Sequence, residues 1–315
     1  MKVLITDYGF KGIDTEKALI ESAGHELVTA QCKTEEEVIA AGADCDALLV
    51  QWAPVKAQAA AALKKCRVIV RYGIGVDNLD LPALKAAGIA ACNVPDYCID
   101  EVADHTVSLA LALARQLPQT HARTLGGQWK ITPPSAVPAF RQMTFATAGF
   151  GRIARAALER VKGFGFTLAA YDPYVDSESF ARSGVKKLEL EELFSMADIL
   201  SLHLPLTNDT RHLVNETRLG RMKKHAVVVN TARGPLIDTN ALATALKAGV
   251  IGGAGLDVFE KEPLETDHPL RECPNVLMTS HTAWYSEASV PELQKKAAEE
   301  ILRGLNGEPL KNRVN

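Results

Sequence analysis

Short apolar runs alternate with amphipathic stretches along the whole chain. Residues 3–7, 26–29, 47–50 and 68–71 are rich in Val, Leu and Ile and are bounded by Gly, Asp or Lys, so they read as strands. The intervening segments carry helix signals. Asp14 or Thr15 can cap a helix that ends at Gly24. Thr34 and Glu37 form a capping box for a helix ending near Gly42. An Ala-rich helix separates the third and fourth strands, and a turn at residues 73–77 leads into a helix over 81–87 closed by Gly88. These elements predict a small α/β unit.

Residues 100–116 have the apolar spacing of one long helix, with Val102, Val107, Leu109, Leu111 and Leu113 on it. The stretch 126–140 contains Pro133, Pro134 and Pro138 and is predicted to be irregular. A second series of strands follows at 144–148, 167–171, 199–202, 226–230, 252–257 and 276–278, with helices between them. Strand–helix alternation of this kind builds parallel sheets covered on both faces. A charged amphipathic helix is predicted over 287–305.

Composition narrows the class. The chain has 315 residues, which suggests two domains. Apolar residues make up 47%, and 35 basic residues nearly balance 38 acidic ones, giving a net charge of −3. That balance requires no nucleic-acid surface, and it is not the composition of a disordered chain. No apolar run is long enough to span a bilayer, and residues 1–7 read as a strand rather than a signal peptide. Six scattered cysteines show neither Cys-x-x-Cys nor zinc spacing with His, which points to reduced thiols, a cytoplasmic location and no metal site.

One motif sets the expected cofactor. Gly149-Phe150-Gly151-Arg152-Ile153-Ala154 lies between the strand 144–148 and a helix, and Asp172 ends the next strand about twenty residues on. Gly149 permits a tight turn, and Gly151 lets backbone approach a pyrophosphate. The helix N-terminus supplies N–H groups and the positive end of a dipole. Asp172 can accept from both ribose hydroxyls and would repel a 2′-phosphate, which favours NAD over NADP. Gly73-Ile74-Gly75 has Asn78 where a third glycine belongs, so it is not a second dinucleotide site.

Three later strands of this series run into reactive side chains. Asn230-Thr231-Ala232-Arg233 brings an arginine, 257–263 brings Asp257, Glu260 and Glu262, and 278–281 brings His281. Ligands bind at such strand ends in open α/β sheets. Reducing an oxoacid calls for a forked cation on the carboxylate, a proton donor titrating near neutrality, and a carboxylate to orient that donor.

These residues resemble the D-isomer-specific 2-hydroxyacid dehydrogenases. The resemblance rests on Asn-Thr-Ala-Arg-Gly-Pro-Leu-Ile-Asp at 230–238, Gly-Leu-Asp-Val-Phe-Glu-Lys-Glu-Pro at 255–263 and Ser-His-Thr-Ala-Trp-Tyr-Ser at 280–286. Arg-Tyr-Gly-Ile-Gly-Val-Asp-Asn-Leu-Asp at 71–80, Cys-Asn-Val-Pro at 92–95 and Tyr-Asp-Pro at 171–173 extend it over essentially the whole chain. Within the family the motifs look closest to the C-terminal-binding-protein and phosphoglycerate-dehydrogenase-like branch. One departure is Ser280, where a proline usually precedes the His.

The resemblance implies a Rossmann doubly wound NAD-binding domain over 99–284. It would be inserted into a smaller flavodoxin-like substrate domain made of 1–98 and 285–315. It implies NAD-dependent interconversion of a 2-oxoacid and a D-2-hydroxyacid. Arg233 would bind the carboxylate, and His281, paired with Glu262, would move the proton. Asp257 would hold the nicotinamide carboxamide, with Thr231, Ala232, His203, Leu204 and Pro205 lining the cofactor. Arg71 and the turn Gly73, Ile74, Gly75 would hold the substrate, and Trp284 would wall its pocket. Gln51 and Trp52 are weaker candidates. The family also implies a homodimer through residues 100–140, and a chain ending at Asn315 without the regulatory domain of longer phosphoglycerate dehydrogenases. An NADH-sensing co-repressor with little turnover is the alternative.

Overall fold

The computed structural model describes residues 1–273 and 275–315. The chain divides into two compact units, Met1–Cys98 with Tyr285–Asn315, and Ile99–Trp284.

In the first unit the strands are β1 (Lys2–Ile5), β2 (Glu26–Thr29), β3 (Ala47–Val50), β4 (Val68–Arg71) and β5 (Ala90–Cys92). They form one parallel sheet in the order β2-β1-β3-β4-β5, the flavodoxin-like arrangement. Its helices are α1 (Asp14–Ser22), α2 (Glu35–Gly42), α3 (Ala57–Ala62) and α4 (Leu81–Ala86). The Thr34 hydroxyl accepts the Glu37 N–H and Glu37 reaches back, so the predicted capping box forms. The expected cap at Asp14 or Thr15 does not: α1 starts at Asp14, behind Ile13, without a side-chain cap. The sheet is buried on both faces. One face packs against Val38, Leu63 and Leu84, and the other against Ile20, Leu293 and Ile301.

The second unit holds α5 (Ile99–Ala114), α6 (Leu117–Leu125), β6 (Thr144–Ala148), α7 (Arg152–Val161), β7 (Thr167–Tyr171), α8 (Ser177–Arg182), β8 (Lys186–Lys187), α9 (Leu190–Met196), β9 (Ile199–Leu202), α10 (Glu216–Leu219), β10 (Val227–Asn230), α11 (Thr239–Lys247), β11 (Gly253–Leu256) and β12 (Val276–Met278). Seven parallel strands run β12-β11-β10-β9-β6-β7-β8. The order reverses between β6 and β9, which is the Rossmann switch point. The predicted long helix ends at Ala114, because Gln116 adopts a left-handed φ of 51° and α6 begins after it.

The last helix, α12 (Ser289–Asn306), belongs to the first unit and packs on β3 and β4. Beyond it the chain returns to β5, where the Val314 N–H donates to the Ala91 carbonyl. The Asn315 amide pairs with the Ala91 N–H and the Ile89 carbonyl, as a backbone unit would.

Candidate active site

The reversal of strand order leaves a crevice at the carboxyl ends of β6 and β9. Gly149 lies in it with φ 100°, and a Cβ there would come within 2.6 Å of the His203 carbonyl oxygen. Only glycine fits that turn. Asp172, at the end of β7, accepts the Phe150 N–H at 3.0 Å and the Tyr174 N–H at 3.0 Å. The acid therefore shapes the loop and keeps lone pairs for a further donor.

Phe150 contributes backbone alone, since its ring is buried and stacked on Phe180 at 4.2 Å. Arg155 donates to the Phe150 carbonyl and lies over the same ring. No side chain caps the N-terminus of α7, and no atom lies within 4 Å of a Cβ built on Gly151. An open cradle of N–H groups at a helix N-terminus, with a carboxylate at the end of the neighbouring strand, fits a dinucleotide.

His203 is hydrogen-bonded to Ser201 at 2.9 Å, and burial pushes its imidazole down to about 4. Leu204 lies beside Gly149, and Pro205 accepts the Thr210 hydroxyl.

The loop after β10 carries Arg233. Asn230, fully buried, brackets that loop: its side chain accepts the Ala232 N–H at 3.0 Å and donates to the Arg233 carbonyl at 2.9 Å. Thr231 turns its hydroxyl to Thr106 of α5 at 2.8 Å. Gly234 is pressed against the segment after β11, and a Cβ there would overlap the Phe259 carbonyl at 1.9 Å. This contact sets the Arg233 loop against the chain that carries Glu262.

Glu262 accepts the Phe259 N–H at 3.0 Å and pairs with His281 Nδ1 at 2.7 Å. Burial alone would raise its pKa. The hydrogen bond and charge of His281, with the Phe259 N–H, outweigh that and hold it below the usual carboxylate range. Glu260 does different work, accepting from Thr239 and His212. His281 Nε2 has no hydrogen bond among the described residues, which leaves it for a substrate. Trp284 donates its indole N–H to the His281 carbonyl at 2.8 Å. Asp257 is 1% exposed, and its carboxylate accepts the Thr279 hydroxyl and the Thr282 and Ala283 N–H groups. The structure thus ties it first to the His281 segment.

The first unit has its own switch point, between β1 and β3. Buried Asp7 accepts the Gln51 N–H at 3.1 Å and the Trp52 N–H at 2.6 Å. The Gln51 carbonyl accepts Arg71 Nε at 3.2 Å. In the following turn the Gly73 carbonyl accepts the Val94 N–H, and the Ile74 carbonyl accepts the Asn93 amide. Gly75 lies in the same turn.

No cluster able to hold a metal ion occurs among the described residues, where all six cysteines are buried and none forms a disulfide. No helix among them is long and apolar enough to cross a membrane.

Asn230, Gly234, Asp7 and the His105–Thr279 pair escaped the reading of the sequence. Their roles come from partners distant in the chain, and only the Asn and Asp at strand ends hinted at them.

A glycine-turned crevice at a Rossmann switch point, beside an Arg, a Glu and a His on neighbouring loops, is the arrangement of a dinucleotide-binding fold. Comparison with known proteins makes the class specific. Residues 107–283, more than half of the chain, match the model of the D-isomer specific 2-hydroxyacid dehydrogenase NAD-binding domain. The chain belongs to that family.

It is 39% identical, over its full length, to a D-3-phosphoglycerate dehydrogenase of Methanocaldococcus jannaschii, and spans 59% of that relative. It is 37% identical to a glyoxylate reductase of Korarchaeum cryptofilum, over 86% of this chain and 83% of the relative. The crystal structure of a glyoxylate reductase from Paecilomyes thermophila superposes with a TM-score of 0.89 at 27% identity, covering 100% of this chain and 98% of that one.

Proposed function

We propose that the protein catalyses the NAD(H)-dependent reduction of a 2-oxoacid to a D-2-hydroxyacid, or the reverse. The observation that carries this reading is the His281–Glu262 pair at 2.7 Å, set beside the Arg233 loop by the Gly234–Phe259 contact. The bound dinucleotide supplies the hydride.

The residues do the rest. Gly149, Gly151, Arg152 and Ile153 offer the turn and the N–H groups of α7 to the pyrophosphate, and Asp172 takes the ribose hydroxyls. Thr231 and Ala232 would line the nicotinamide side, Asp257 would hold its carboxamide, and His203, Leu204 and Pro205 would pass over the cofactor. Arg233 holds the substrate carboxylate and polarises the carbonyl. His281 Nε2 gives a proton to the carbonyl oxygen while Glu262 keeps the ring oriented through Nδ1. In the first unit, Arg71 and the turn of Gly73, Ile74 and Gly75 bind the substrate carboxylate. Trp284 favours an uncharged side chain of medium size.

A homodimer through residues 100–140 is part of this reading. α6 has no buried residue, and Trp129 and Ile131 are 86% and 94% exposed. Six buried cysteines without a disulfide among the described residues fit a reducing cytoplasm.

The test mixes the protein with NADH and a panel of 2-oxoacids (glyoxylate, hydroxypyruvate, a phosphorylated hydroxypyruvate, a methionine-derived oxoacid) and follows NADH absorbance. Turnover with at least one acid is expected, together with loss of turnover in His281→Asn. Binding of NADH without turnover of any acid would instead support the NADH-sensing alternative.

A further inference from the structure

His281 occupies left-handed backbone, with φ 58°. That conformation is costly for a residue with a side chain and persists only where its surroundings impose it. Asp257 imposes it here. Its carbonyl accepts the His281 N–H at 2.8 Å, Oδ1 accepts the Thr282 N–H at 2.9 Å, and Oδ2 accepts the Ala283 N–H at 2.9 Å. Three consecutive amides are thus pinned to one buried residue.

The pin itself is held from α5. The Thr279 hydroxyl donates to Asp257 Oδ1 at 2.5 Å, and its oxygen lies 2.9 Å from His105 Nε2. The directions follow from the inventory of donors. A carboxylate can only accept, so Thr279 spends its only proton on Asp257. Its oxygen must then accept from His105, which places a proton on Nε2. The result is a directed chain, His105 N–H to Thr279 O–H to Asp257, in which each bond polarises the next. His105 is 25% exposed, and its neighbour Thr106 anchors the same turn of α5 to Thr231 in the Arg233 loop. One helical turn therefore touches both loops that carry the proposed chemistry.

We propose that His105 and Thr279 are positioning residues, which hold Asp257 so that His281 keeps its left-handed conformation. The inference rests on the reading of His281 as the proton donor. Neither residue touches substrate in this proposal; both act through Asp257.

The test uses the full chain with Trp52 and Trp129 replaced by Phe, so that emission reports Trp284, whose indole N–H is bonded to the His281 carbonyl. Thr279→Val keeps the shape and removes the donor. It should lower kcat about tenfold, the size of one hydrogen bond to a charged group, with little change in KM for the oxoacid, and should shift Trp284 emission to the red. Thr279→Ser should restore both. His105→Gln, which keeps a donor, should stay near the parent chain, while His105→Leu should behave like Thr279→Val.

Parent-like kcat and emission in Thr279→Val, or a Ser variant no better than Val, would overturn the proposal. If Thr279→Val does not fold, the contrast between His105→Gln and His105→Leu decides. The emission is measured without substrate, so it separates the two readings: full turnover in His281→Asn would remove the proton-donor assignment while the shift still reports the scaffold.

Discussion

Glu262 shows how one side chain acquires a pH dependence. Its folded pKa lies below the free value, so its contact with His281 is complete above the ordinary glutamate range, near 4.3. The contact is lost as pH falls through the lowered value. Glu262→Gln is expected to cut kcat/KM roughly 10- to 100-fold at pH 7, the range for a partner that orients a functional His. The gap from wild type should narrow as pH drops and the wild-type carboxylate also protonates. A pH–rate profile of both chains checks this; a gap that stays constant into acid would contradict it. At Asp172 the expected readout is discrimination. Asp172→Ala should weaken NADH binding and narrow its advantage over NADPH about tenfold or more. Titration of both dinucleotides measures the ratio, and an unchanged ratio would refute the assignment.

Among the elements, those written in local pattern were legible, and those created by distant partners were not. The capping box of α2 needs only Thr34 and Glu37, and it formed where expected. β5 has three residues and β8 two, too few for a hydrophobic period to register. α6 buries no side chain, and Gln116 in left-handed backbone cuts it off from the pattern of α5. The same division runs through the site. Arg233, Glu262 and His281 stand in compact motifs, whereas His105 meets Thr279 only because the sheet brings together residues 174 positions apart. Gly234 belongs to this second kind. A methyl group there would overlap the Phe259 backbone, which cannot swing aside as a side chain can. Gly234→Ala should therefore cost more than about 3 kcal/mol, or abolish activity by parting the Arg233 and Glu262 loops. Thermal unfolding and turnover measure the two effects; a variant with wild-type Tm and kcat would show that the contact is dispensable.

For the whole molecule, the exposed arm carries the prediction of assembly. Trp129 and Ile131 replaced together by Glu should halve the sedimenting mass if they lie in a dimer interface. An unchanged mass would exclude the arm. The return of the chain to its first unit has a different consequence, in time. β1 to β5 are made before the second unit, yet α12 and the strand-like pairing of Val314 with Ala91 come from residues made after it. Between them lie the residues Ile99–Trp284, whose synthesis takes roughly 10–40 s at about 5–20 residues per second. Through that interval the β3–β4 face that receives Leu293 and Ile301 waits without its cover, while the second unit is being made. The second unit is thus expected to mature before the first, whose sheet closes only after it and is the one more in need of a chaperone.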